Sequence, residues 1–98
     1  MKSKNIIIWK FVEGYKNEKG RFIILDQSSH SSFPNATVDF QLAVHKYKRK
    51  YEGELNGKRA VILEEKDDKF VIEVHKKTKF IVFIQKITND QKFNFDKI

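Results

Sequence analysis

The stretch ATVDFQLAVHKYKRKYE, residues 36–52, decides the fold, because its apolar residues fit two periods at once. Val38, Phe40, Leu42 and Val44 alternate as in a half-buried strand. Phe40, Val44, Tyr47 and Tyr51 also mark a single helical stripe, with Asn35 as an N-cap and Gly53 past the end. The neighbouring Asn56-Gly57 is a favoured dipeptide for a two-residue hairpin turn, and such a turn fixes the register of the strands it joins. It predicts that Leu55 faces Lys58, Glu54 faces Arg59, Gly53 faces Ala60, Tyr51 faces Ile62, Arg49 faces Glu64 and Lys48 faces Glu65. Opposite charges and an aromatic against a β-branched residue each contribute roughly 0.2–1 kcal/mol across a sheet. On this argument 36–52 is a strand, with a β-bulge near His45 where the apolar phase flips between Val44 and Tyr47. The alternative is a helix over 36–52 packed on the sheet, which makes the class α+β.

Beyond the Asn-Gly pair, the runs RAVILE, KFVIEV and KFIVFIQKI are separated by EKDDK and HKKT, the punctuation of an antiparallel meander. A three-residue connection after Glu65 places Ile62 opposite Ile72 and Ala60 opposite Val74. The run 80–84 is apolar throughout, so both of its faces need cover, in a closed barrel or a two-layer packing. Toward the N-terminus, NIIIWKFVE at 5–13 ends at Gly14, and RFIILD at 21–26 returns as the second arm of a hairpin. QSSHSSFPN at 27–35 reads as a surface loop, and Phe93 and Phe95 as a short closing edge strand. The expected architecture is all-β: one domain over 1–98, an antiparallel meander barrel or compact sandwich of about six to eight strands.

Composition narrows the function classes. Without cysteine among its 98 residues the chain has no disulfide framework and no thiolate metal site. A formal net charge of +7 favours anionic partners and solubility. The apolar run near the start, Ile6 to Trp9, is too short for a signal peptide or a membrane span, so a soluble, cytoplasmic, unexported chain is expected. Oligomeric state is not encoded in any pattern of the sequence.

No motif specifies a reaction. HKYKRKY at 45–51 interleaves bases with aromatics, as phosphate neutralisation and base stacking require. On a strand, however, Lys46, Lys48 and Lys50 point one way and Tyr47, Arg49 and Tyr51 the other, so the plainer reading is a solvated lysine row beside core tyrosines. Alternate turns of a meander share one end, which brings Lys58 and Arg59 to the HKKTK turn with Lys76, Lys77 and Lys79. The carboxylates Glu64, Glu65, Asp67 and Asp68 then lie at the other end. Those five basic residues are the candidate anion site, and solubilising turns are its plain counterpart. His30 among serines lacks an oxyanion-forming turn, and His45 and His75 lack ligand spacing. The acidic loop is not a calcium loop, Asn35-Ala36-Thr37 matches a glycosylation sequon without an export signal, and the four glycines are scattered.

The expectation is therefore a non-enzymatic binding domain without cofactor or metal, whose cationic end contacts an anionic macromolecule such as nucleic-acid backbone. One alternative is a protein-binding inhibitor or adaptor, for example of mobile-element origin, using an edge strand or the 27–35 segment with Ser29, His30 and Phe33. Another is a small apolar ligand held inside the barrel.

Overall fold

The computed structural model describes residues 6–88. Residues 33–50 are helical, which overturns the all-β expectation in favour of α+β. In chain order the elements are β1 (Ile7–Lys16), β2 (Phe22–His30), α1 (Phe33–Lys50), α2 (Glu52–Asn56), β3 (Ala60–Glu65), β4 (Lys69–Val74) and β5 (Thr78–Thr88). The strands form one sheet of five in the order β2-β1-β5-β4-β3, antiparallel at every pairing. It is an open sheet with edges at β2 and β3, not a closed barrel.

Helix α1 starts one turn earlier than Asn35 would have it. Ser32 is the N-cap, its Oγ accepting the Asn35 N–H at 3.3 Å, and Pro34 sits in the first turn, where its missing N–H costs nothing. The segment 27–35 is thus not a loop: 27–30 finish β2 and 33–35 open α1. Lys48, Arg49 and Lys50 occupy the last turn, where positive charge suits the helix dipole. The buried stripe is Ala36, Phe40, Ala43, Val44 and Tyr47, and it lies on β1, β5 and β2.

The Asn56-Gly57 hairpin does not form, and none of the six pairings it implied, from Leu55–Lys58 to Lys48–Glu65, is a strand pairing. Gly57 has φ −84°, outside the left-handed region a type I′ turn needs, and it caps α2. Nor is there a bulge near His45; the extra residues are Leu25 in β2 and Leu63 in β3. Two registers expected from the sequence are present, Ala60↔Val74 and Ile62↔Ile72. They arise from a turn one residue tighter, closed by Lys66 N–H to Lys69 O at 2.8 Å, and compensated by the Leu63 bulge.

The core divides by face. Under the helix lie Phe11, Phe70, Ile72, Val74, Val82 and Ile84, with Trp9, Tyr51, Leu55, Ile62 and Phe80 packed around them. On the other face Val12, Val71, Ile81 and Phe83 make a smaller cluster with Phe22 and Ile24. A buried aromatic or aliphatic side chain contributes roughly 1.5–3 kcal/mol, so the helix stripe alone outweighs any turn preference. Gly14 does not end β1, because a Cβ there would sit 2.6 Å from the Phe22 ring and overlap the Ile23 carbonyl. The strand runs on to Lys16 over that close approach. The edge strand expected at Phe93 and Phe95 lies outside the described residues.

Candidate functional site

The topology sorts the chain reversals to two ends of the sheet. The β1–β2 turn, the end of α1 with α2, the approach to β3 and the β4–β5 turn share one end. The β3–β4 turn and the start of α1 share the other. At the first end Lys19, Arg21, Lys58, Arg59, Lys76, Lys77 and Lys79 are all exposed. The Arg59 carbonyl accepts the His75 N–H at 2.8 Å, which ties the 57–59 and 75–77 segments together. Lys16 lies directly across from Lys79, and Lys79 in turn from Glu73. At the opposite end Glu64 pairs with Lys66 at 3.2 Å and Lys69 at 3.6 Å, and Asp67 and Asp68 form the turn. The Lys66 ammonium bonded to Glu64, with Lys69 behind it, holds that carboxyl below its usual range.

The basic end also concentrates backbone strain. Lys58 (φ 60°), His75 (φ 55°) and Lys76 (φ 57°) are the non-glycine residues with positive φ among the described residues, and all three are here. His75 and Lys76 form the β4–β5 turn, with Lys77 N–H donating to Val74 O at 3.1 Å. The primed turn thus falls on His-Lys and not on the Asn-Gly pair that favours it. Left-handed backbone costs a residue with a Cβ about 1 kcal/mol, and such strain gathers at functional sites.

The residues of HKYKRKY separate along the helix. Tyr47 is 2% exposed, stacks parallel to Tyr51 and packs on Phe80 at 4.9 Å. Lys46 reaches Glu13 at 2.5 Å, Lys48 pairs with Glu65, and Lys50 lies 5.5 Å over the Tyr51 ring. The expected water-facing row of Lys46, Lys48 and Lys50 is therefore split between two ion pairs and a ring contact. Glu13, a buried carboxylate 4% exposed, also accepts the Tyr47 hydroxyl at 2.6 Å. Burial, then Glu13, push the Tyr47 phenol far above its ordinary value.

His30 and Phe33 are spent internally. The Phe33 ring meets Trp9 edge-on at 5.2 Å, while Ser29 is exposed on β2. His30 Nε2 lies 2.9 Å from Asp39 Oδ2 and 2.8 Å from Ser28 Oγ, and Ser28 donates to the same Oδ2 at 2.7 Å. Such a cluster was invisible along the sequence because Asp39 belongs to α1. It is not a catalytic relay: one ring nitrogen faces both partners, whereas a relay puts serine and carboxylate on different nitrogens. It clamps the end of β2 to the helix.

An open groove of about 600 Å³ runs between α1 and the β3–β4 turn, floored by Phe33, Phe40, Val44 and Phe70 and rimmed by Lys48, Glu65 and Lys66. Among the described residues no group of side chains has the makeup to hold a metal ion, and no helix is long and apolar enough to cross a membrane. Comparison with family models, curated proteins and solved structures gives no match.

Proposed function

We propose that the chain is a non-enzymatic binding domain whose basic end engages an anionic macromolecule, with nucleic-acid phosphate as the ligand. The observation that supports this reading is the gathering of Lys19, Arg21, Lys58, Arg59, Lys76 and Lys77 on chain reversals at one end of the sheet, away from the Asp67-Asp68 turn. Neighbouring strands lie about 4.8 Å apart, so a line of turns along the sheet end spans about 19 Å, enough to follow several phosphates of one strand. Base stacking plays no part in this recognition. Tyr51 lies on Phe80 at 5.5 Å under Lys50, and Tyr15 packs on Phe80 at 6.0 Å, so these rings are engaged within the fold. Recognition is then by backbone charge, largely independent of sequence.

Fluorescence anisotropy of labelled duplex DNA against rising salt tests this. The expected log–log slope is about −3 to −5, corresponding to roughly four or five phosphates neutralised. Lys76→Gly carries the sharper expectation: it relieves left-handed strain and raises stability by about 0.5–1 kcal/mol while weakening binding. Absence of binding even at low salt, for duplex and single strands alike, removes the proposal.

A further inference from the structure

We infer that Asn56-Gly57 is a self-modifying site: the Gly57 nitrogen closes on the Asn56 side chain, and the product is a carboxylate beside Arg59 that lowers the charge of the basic end. The modification stands by itself; its effect on binding rests on the phosphate-binding function proposed above.

The chemistry needs an unhindered nitrogen after an asparagine. Of the asparagines in the chain, Asn56 alone precedes glycine. A side chain on the next residue crowds the attacking nitrogen, as Glu18 does after Asn17 and Ala36 after Asn35. Solvent base takes the Gly57 amide proton, the nitrogen bonds to Asn56 Cγ, and the Cγ–Nδ2 bond breaks to release ammonia. Water then opens the cyclic imide at either carbonyl. Aspartate or its β-linked isomer results, with a negative charge where the amide was neutral, and neither oxidant nor reductant takes part.

The fold holds this nitrogen weakly. The Gly57 N–H donates to the Gly53 carbonyl at 2.9 Å, which keeps it off the side chain while α2 is intact. Helix α2 is five residues long, has no side-chain N-cap bond and contains no buried residue. Gly53 in its first turn adds backbone freedom. Such an element opens locally at a small fraction of the free energy of global unfolding. Asn56 and Gly57 are both exposed, so base and water reach them. Asn17 is held differently, its Oδ1 accepting the Lys19 and Arg21 N–H groups at 3.0 and 3.1 Å.

Arg59 gives the product its consequence. Its guanidinium lies over Gly57, with Nε 3.6 Å and Nη2 3.8 Å from the point where a Cβ of that residue would stand. A carboxylate on the preceding residue pairs with it and withdraws it from phosphate. The β-linked isomer also lengthens the backbone by an atom, which strains the bond from the Arg59 N–H to the Glu54 carbonyl, 2.7 Å long.

The test is incubation of the whole chain in mildly alkaline buffer, followed by digestion and mass spectrometry. Asn56 should convert ahead of Asn17 and Asn35, to aspartate and its isomer together. Gly53→Ala, whose methyl group meets nothing within 4 Å, should slow conversion about two- to fivefold by steadying α2. Asn56→Asp should weaken duplex binding about three- to tenfold and flatten the salt slope by about one. Conversion of Asn17 or Asn35 at the same rate, an Asn56 that stays intact in the folded chain, or a rate indifferent to Gly53→Ala overturns the site. Equal binding by the parent and Asn56→Asp overturns its coupling to Arg59. Absence of binding by the parent counts against the phosphate-binding function instead, while the conversion rates still decide the modification.

Discussion

Lys46 and Lys48 stand on the same helix and each pairs with a glutamate, yet the two pairs do different work. Lys46 leans toward β1 and meets a carboxylate whose side chain is 5% exposed, already bonded by the Tyr47 hydroxyl. Lys48 leans toward β3 and meets Glu65, whose side chain is 49% exposed, at the rim of the open groove. The first glutamate lies on the helix-covered face of a central strand, the second at the end of an edge strand. Pairing chemistry is the same on both sides; the access of water is not. An ion pair in water contributes little, whereas removing one member of a buried pair strands the other.

The comparison is most sharply tested by making the same substitution at both positions. Lys46→Ala leaves the Glu13 carboxylate buried with the Tyr47 hydroxyl alone and should cost about 2–3 kcal/mol in chemical denaturation. Next in size is Tyr47→Phe, which removes that hydroxyl and should cost about 1–2 kcal/mol. It also carries a pH signature. The folded phenol holds its proton more tightly than the unfolded one, whose value is about 10, so its stabilising effect is complete below that pH and is lost as pH rises. Unfolding measured from pH 9 to 11 should show stability falling by up to about 1.4 kcal/mol per pH unit above pH 10, with a shallower fall in Tyr47→Phe. The smallest effect belongs to Lys48→Ala, expected within about 0.5 kcal/mol of the parent and masked by salt. Equal losses for the two lysine variants would break the distinction.

Much of the sheet could be read from local pattern. The alternation in β3 and β4 set Ile62 against Ile72 and Ala60 against Val74, and the first hairpin followed from two apolar runs around a polar loop. The error lay where two signals competed. Asn56-Gly57 argued for a hairpin with a preference on the order of 1 kcal/mol, while the stripe Ala36, Phe40, Ala43, Val44 and Tyr47 buries a whole helix face. The cap that announces that helix, Ser32 with Pro34, has the local signature of a loop as well, because serine and proline serve both purposes. The side-chain clusters were less legible still. Glu13 and Lys46 are 33 positions apart, and Asp39 is 9 from His30, so only the crossing of α1 over β1 and β2 brings them together. The basic turns were legible as charge; the neighbouring Arg59 and His75 reach each other through a helix and its return, not through the hairpin the sequence implied.

The seam at the centre of the sheet joins β1 to β5, from Ile7↔Thr88 to Lys16↔Lys79. A chain emerging from the ribosome can close its first ribbon early, but the middle of the fabric stays unsewn until the last described strand has been made. Folding should therefore be slower than the short local turns imply. The two halves on either side of α2, expressed as separate pieces, are natural candidates for reassembly by complementation.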